Sequence, residues 1–163
     1  MMARDTVNDG AVISTSVSQP YIYTSSFNSG TITAVNGNRN APIGAEICYS
    51  GSYTGLQCGN IVTSKTAMWN FGGHLQNVKG MRTERADGSP PAGQGESGGP
   101  DYMLTIADGT IKRYAAGIIS GGPNPQSGGC LGLEANRLCG SKAFAGQTWP
   151  IASAMCWSIK LIP

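Results

Sequence analysis

Short apolar and β-branched runs recur along the chain, and Gly, Asn, Ser or Asp interrupts them every few residues. Ala11-Val12-Ile13, Tyr21-Ile22-Tyr23, Thr31-Ile32-Thr33-Ala34-Val35, Ala45-Glu46-Ile47-Cys48, Asn60-Ile61-Val62-Thr63 and Tyr102-Met103-Leu104-Thr105-Ile106 each suit one strand and are too short for a helix. Asn28-Ser29-Gly30, Asn36-Gly37-Asn38, Phe71-Gly72-Gly73 and Ala107-Asp108-Gly109 predict turns between them. Ile111 to Ser120 reads as a further strand, hairpin-paired through Asp108-Gly109 with the run before it. Only the end departs: Ile151-Ala152-Ser153-Ala154-Met155-Cys156-Trp157 follows Pro150, a residue suited to the first turn of a helix. The pattern predicts an all-β, barrel-like protein with one short terminal helix, without internal repeats or low-complexity linkers.

Composition agrees. Gly makes up 24 of the 163 residues, 40% are hydrophobic and 12% charged, too apolar for disorder and too Gly-rich for a helical bundle. That length suits one domain, or one and a half small ones. A net charge of +2, with eleven scattered Lys and Arg, gives no basic face for nucleic acid. No run approaches the ~18 apolar residues of a membrane-crossing helix, and no apolar signal core follows Met1-Met2-Ala3-Arg4-Asp5.

The five cysteines argue for an oxidising compartment. Cys48 and Cys58 bracket a Ser-, Gly- and Thr-rich stretch that favours a hairpin turn, across which a disulfide closes easily. No CxxC occurs and the sole histidine, His74, is distant in sequence, so no zinc spacing is present and no metal is expected. Among Cys130, Cys139 and Cys156 the sequence-nearest pairing joins Cys130 to Cys139 and leaves Cys156 free. Spacing alone leaves that connectivity open, as it leaves open five unpaired buried thiols.

The chemistry concentrates at Gly95-Glu96-Ser97-Gly98-Gly99-Pro100. A serine flanked by glycines presents its hydroxyl without crowding, and such glycines let backbone N–H groups converge on one point. Acyl transfer needs that pairing of nucleophile and oxyanion donors. Taken alone, the same six residues read equally well as an ordinary turn.

These residues resemble the active-serine motif of chymotrypsin-like serine proteases, of the bacterial secreted streptogrisin and α-lytic type, where an aspartate usually stands in place of Glu96. Further stretches arrive in family order over residues 8–163. Asn8-Asp9-Gly10-Ala11-Val12-Ile13 resembles the strand that begins with the catalytic aspartate. Ile43 through Ile61 is similar to the family's disulfide hairpin, with the same spacing of Cys48 and Cys58. Val78 to Thr83 resembles the strand before the serine loop, Ala116 to Gly122 the substrate-binding strand, and Trp149-Pro150-Ile151 the lead into the terminal helix.

The resemblance implies roles. Ser97 would be the nucleophile, with the amides of Gly95 and Ser97 as its oxyanion hole. Asp9 would orient the general base; otherwise it is a turn aspartate. Ser120 would hold Asp9, and Ser120, Gly121 and Gly122 would bind the substrate backbone as an added strand. The family's histidine precedes its aspartate by several strands, whereas His74 follows Asp9 and reads as a solvated turn residue. The family aspartate before the nucleophile pairs with an arginine beside the first hairpin cysteine. Here Glu96 and Tyr49 occupy those positions, so Glu96 is expected to reach a neutral donor, Tyr49 or a backbone amide. The cysteine usual just upstream of the serine is absent, which leaves Cys139 as the partner for Cys130.

What the resemblance implies is therefore an N-terminally truncated double β-barrel: residues 1–36 a remnant of the first barrel, 37–163 a complete second barrel with its helix. The implied activity is serine-type endopeptidase hydrolysis, inactive as given for want of the histidine. It needs no cofactor, acts on polypeptide, is secreted, and is monomeric if the first barrel is complete. The alternative is a non-catalytic peptide-binding β-domain, and beyond it a purely structural one. No carboxylate lies in Ser89-Pro90-Pro91-Ala92-Gly93-Gln94, expected to line the primary pocket, which predicts preference for apolar or aromatic residues. Asp87 and Asp101 are the nearest acids that would change this.

Overall fold

A computed structural model describes residues 3–12, 15–70, 76–123, 126–127, 129–134 and 136–158. Phe71-Gly72-Gly73, His74 and Ile13 lie outside the described residues. In chain order the elements are β1 (Ala3–Asp5), β2 (Gly10–Val12), β3 (Tyr21–Tyr23), β4 (Ile32–Ala34), β5 (Gly37–Asn38), β6 (Glu46–Gly51), β7 (Gly55–Trp69) and β8 (Val78–Arg85). There follow β9 (Ala92–Gly93), β10 (Pro100–Ala107), β11 (Thr110–Gly121), β12 (Gln126–Ser127), β13 (Leu138–Gly140), β14 (Lys142–Gln147) and α1 (Thr148–Ala154).

Six strands close a barrel in the order β10-β6-β7-β8-β14-β11, with β10 pairing back onto β11. The β10–β11 hairpin turns at Asp108 and Gly109, whose φ of 52° and 70° match the primed turns that suit strand twist. Large side chains, Ile47, Tyr49, Met81 and Ile119, alternate around the interior with small ones, Ala116, Ala143 and Ala145. Such a mixture suits the interior of a narrow barrel. β7 overruns its apolar run by many residues, since register shifts after Val62 and Ser64 re-aim it. Its end brings Trp69 flat onto Phe144 of β14, ring centres 4.7 Å apart.

Two local expectations are corrected. Asn36-Gly37-Asn38 is not a free turn: Gly37 and Asn38 form β5, a short parallel strand on β11. Gly37 lies against the Tyr114 ring, and the Asn36 side chain accepts the Arg113 amide at 2.8 Å, so tertiary contacts straighten the segment. The helix spans Thr148–Ala154 rather than Ile151–Trp157, with Pro150 in its first turn. Cys156, at φ 56°, ends it in a Schellman motif, with Trp157 N–H donating to Ala152 O and Cys156 N–H to Ser153 O.

Ahead of the barrel stand two separate two-stranded sheets, β1–β2 and β3–β4. Among the described residues no ladder joins either to the barrel. They are tethered by single bonds, Lys79 N–H to Val7 O at 2.7 Å and Leu56 N–H to Ser25 O at 2.9 Å. Gly10 also packs on Ile151 of α1.

Candidate active site

The turn between β9 and β10 carries Ser97. Gly95 and Gly98, at φ 93° and 90°, take left-handed conformations that side chains resist. The chain can therefore reverse direction twice around the serine. Gly99 N–H donates to Glu96 O at 2.9 Å, and two further bonds lock the turn onto β11: Gly98 N–H to Ile119 O and Ile119 N–H to Gly99 O, both 2.8 Å. The result is an alternation in which Glu96 is buried while Gly95 and Ser97 face solvent. Among the described residues the amides of Gly95 and Ser97 have no backbone partner. The Ser97 hydroxyl donates to Ser120 O at 3.1 Å. A carbonyl orients that hydroxyl without being able to take its proton.

Beneath the serine, Glu96 is 1% exposed yet fully engaged. Its Oε1 accepts the Thr54 amide at 2.7 Å and its Oε2 the Gly93 amide at 2.9 Å. Arg137 Nη1 stands 3.8 Å from Oε1. The backbone-amide alternative thus describes Glu96, and Tyr49 as its partner is corrected. The Tyr49 hydroxyl instead bonds Thr83 inside the barrel, because the β6 pleat turns that ring into the core. Arg137 was missed. It arrives from the loop closed by Cys130–Cys139, a tertiary contact across 41 positions that no local pattern announces. The only sequence signal was a carboxylate that a buried site would have to neutralise.

Asp9 and Ser120 are not joined by a hydrogen bond. Asp9 lies in the β1–β2 turn at φ 52°, its carbonyl over Gly146, which is the ladder partner of Ile118. The turn is held by Asp5, whose Oδ1 accepts the amides of Val7 and Asn8 at 3.0 and 3.1 Å. No hydrogen bond links Asp9 to Ser120 or Ser97, and the buried Ser120 hydroxyl oxygen is unpartnered among the described residues. Asp9 as the holder of a base, and Ser120 as its anchor, are thus not assembled by bonds. His74 lies outside the described residues.

Two cavities meet at Ser97. One, of ≈180 Å³, is walled by Ala92, Gly93, Gln94, Gly121, Gly122, Leu138 and Cys139, and brings the expected pocket stretch and substrate strand together. Among its described lining residues there is no carboxylate. The other, of ≈810 Å³, opens between the serine turn, the tip of the β6–β7 hairpin and the β3–β4 hairpin. Asp87 is spent on Arg85 and Ser89 at the surface, which hold its carboxyl well below the usual range. Asp101 is fully buried in the barrel wall, both oxygens without hydrogen-bond partners among the described residues, and burial pushes its carboxyl well up. Burial, with Asp101 adding to it, likewise raises the Tyr49 phenol.

Disulfides join Cys48 to Cys58 and Cys130 to Cys139, leaving Cys156 free and exposed. Glu46 comes close to Cys48 and Cys58, but sulfurs bonded to each other offer no thiolate to a metal.

No protein-family model matches the chain. Solved structures do. Thermobifida fusca protease A aligns at TM-score 0.57 and 21% identity, over 88% of this chain and 62% of that one. A Nocardiopsis protease aligns at 0.55 and 26%, over 83% and 57%, and a Cellulomonas bogoriensis chymotrypsin at 0.56 and 26%, over 86% and 63%. The chain spans less than two thirds of the length of all three. Barrel, serine turn and alignments together give this chain the fold of the bacterial chymotrypsin-like serine proteases.

Proposed function

We propose that the Ser97 turn is an acyl-transfer site for polypeptide, that of a serine endopeptidase acting outside the cell, and that the chain is silent until an imidazole reaches it. The observation that carries this reading is the exposed Ser97 where two cavities meet, beside amides of Gly95 and Ser97 that have no backbone partner among the described residues. An extended peptide laid along Ser120–Gly122 places one side chain in the smaller cavity and its carbonyl over Ser97. Neutral and partly apolar walls, Ala92, Leu138 and Cys139 among them, favour an apolar or aromatic side chain there. The two disulfides fit an extracellular setting.

Hydrolysis needs a group that takes the Ser97 proton, and the bond from Ser97 to Ser120 O provides none. Loss of the histidine in a serine protease removes roughly 10⁶-fold of turnover, about 8 kcal/mol of barrier. A fluorophosphonate probe and a chromogenic peptide, applied to the chain and to a version extended upstream by a histidine-bearing segment, test the reading. The expected result is no labelling of the first and Ser97-dependent labelling of the second. Hydrolysis by the chain that survives Ser97→Ala overturns it, and hydrolysis abolished by both Ser97→Ala and His74→Ala names His74 as the base.

A second reading, a peptide-binding domain without catalysis, is favoured by one observation: Asp9 makes no bond to Ser120, whose hydroxyl oxygen is left alone. Peptide binding that is unchanged in Ser97→Ala, with no labelling of either version, selects it.

A further inference from the structure

The 130–139 loop reaches the serine turn through one side chain. Arg137 is 8% exposed, and its guanidinium is spread over three carbonyls: Nη1 donates to Gln94 O at 2.7 Å, Nη2 to Leu131 O and Nε to Leu133 O, both at 3.0 Å. Its remaining neighbours are Glu96 Oε1 at 3.8 Å and the Tyr53 ring, 4.6 Å below the guanidinium carbon. The loop that carries it is closed by Cys130–Cys139 and bonded to the β6–β7 turn, Leu133 N–H donating to Tyr53 O at 3.0 Å. Tyr53 in turn packs on Gly95, where an added Cβ would lie 2.7 Å from the ring.

Gln94 O and Gly95 N–H belong to one peptide plane. The bond is trans, as are all peptides among the described residues, so its C=O and N–H point in opposite directions. Whatever grips the carbonyl therefore aims the amide. Gln94 and Gly95 are exposed, and Gly95 sits at φ 93°, where glycine tolerates more than one orientation of its peptides. Without a grip, that plane is free to turn over and bury the N–H on the wrong side. The flanking planes have other holds, Gln94 N–H on Leu138 O at 2.7 Å and the Ser52 hydroxyl on Gly95 O at 3.1 Å, and Glu96 takes the amides of Gly93 and Thr54, so among the described residues the Gln94–Gly95 plane itself is bonded by Arg137.

We infer that Arg137 is a positioning residue for the oxyanion hole: by holding the Gln94 carbonyl it keeps the Gly95 N–H turned outward, toward the place where charge would develop on a carbonyl attacked by Ser97. The disulfide-closed 130–139 loop is then part of the site's machinery and not merely a pocket wall. The inference rests on the acyl-transfer reading for the use of that amide, and on the structure alone for its orientation.

Nuclear magnetic resonance of the ¹⁵N-labelled chain tests the orientation, and the histidine-extended version tests its use, with a peptidyl boronate as oxyanion-forming probe and the same peptide as its carboxamide as control. Arg137→Met keeps the apolar stem and removes the fork. The expected result is a single Gly95 amide signal in the starting protein and a doubled or exchange-broadened one in Arg137→Met. Boronate binding should weaken roughly tenfold to a hundredfold, less than the ~10²–10³ of a donor removed outright, because the freed plane still samples the outward orientation, while carboxamide binding holds. A merely structural role would weaken both ligands alike. If Arg137→Met fails to fold, Arg137→Lys, which keeps the charge and loses the fork, carries the same readouts. A folded variant with an unchanged Gly95 signal overturns the inference, as does an unchanged ratio of boronate to carboxamide affinity. Boronate that never adds to Ser97 in the histidine-extended version removes the acyl-transfer reading instead, and the Gly95 signal then decides the positioning role by itself.

Discussion

The barrel and the two hairpins ahead of it are made from similar strand-forming residues and end in opposite states. Ile47, Tyr49 and Met81 of the barrel are completely buried, whereas no residue of β1 to β4 is. Tyr23 and Ile32 leave more than half of their surface in water. Strand propensity suffices for a local ladder, but burial needs a closed ring with two facing walls. The site inherits the same division. Everything anchored to the barrel, Glu96, Arg137, Gly98 and Gly99, is fixed by several bonds. Asp9, anchored to a hairpin, reaches no partner in the serine turn.

The sharpest way to break this comparison is to remove Glu96. Glu96→Ala leaves a buried Arg137 without its carboxylate and two amides without their acceptor. It should cost ~3–5 kcal/mol, read as a lower denaturant midpoint. A loss below 1 kcal/mol would mean the network under Ser97 is no better held than a surface pair.

Matched truncations come next. Ile47→Ala in β6 should destabilise by ~2–5 kcal/mol, while Ile22→Ala in β3 should stay within about 1 kcal/mol. Equal losses in chemical denaturation would show that the hairpins belong to the barrel's cooperative unit.

Asp101 turns the comparison around, being a defect inside the well-made part. Burial raises its carboxyl in the folded state, so the unfolded chain gives up that proton first. Stability tied to this group is therefore fully present below the unfolded carboxylate range and is lost as pH rises through and above it. Asp101→Leu should gain ~1–3 kcal/mol at pH 7, with the gain shrinking toward pH 4, the unfolded value. A gain that grows on acidification would contradict a neutral buried acid. The smallest effect needs no substitution: amides of β1 to β4 should exchange with little protection, and those of β6 to β8 only on global opening. Uniform protection would dissolve the distinction between the regions.

Much of this was legible beforehand for reasons of local chemistry. β-Branched alternation marks β3, β4, β6 and β10, Asp108-Gly109 marks a hairpin, and Gly-x-Ser-Gly-Gly marks a turn that exposes a hydroxyl. Short spacing allowed both disulfides. β9, β12 and β13 were not legible, because two- or three-residue strands carry no periodicity and exist only where other segments pair with them.

By itself the sequence determined the class of fold, the serine turn and the neutral pocket stretch, since each depends on residues adjacent in the chain and on their own conformational preferences. Tertiary structure alone decided what Glu96 binds, that Arg137 holds the Gln94 carbonyl, that Tyr49 faces Thr83, and that no hydrogen bond joins Asp9 to Ser120. Those outcomes depend on distances between segments tens of residues apart. Such distances are set by how the barrel closes, and closure is a property of all its strands at once.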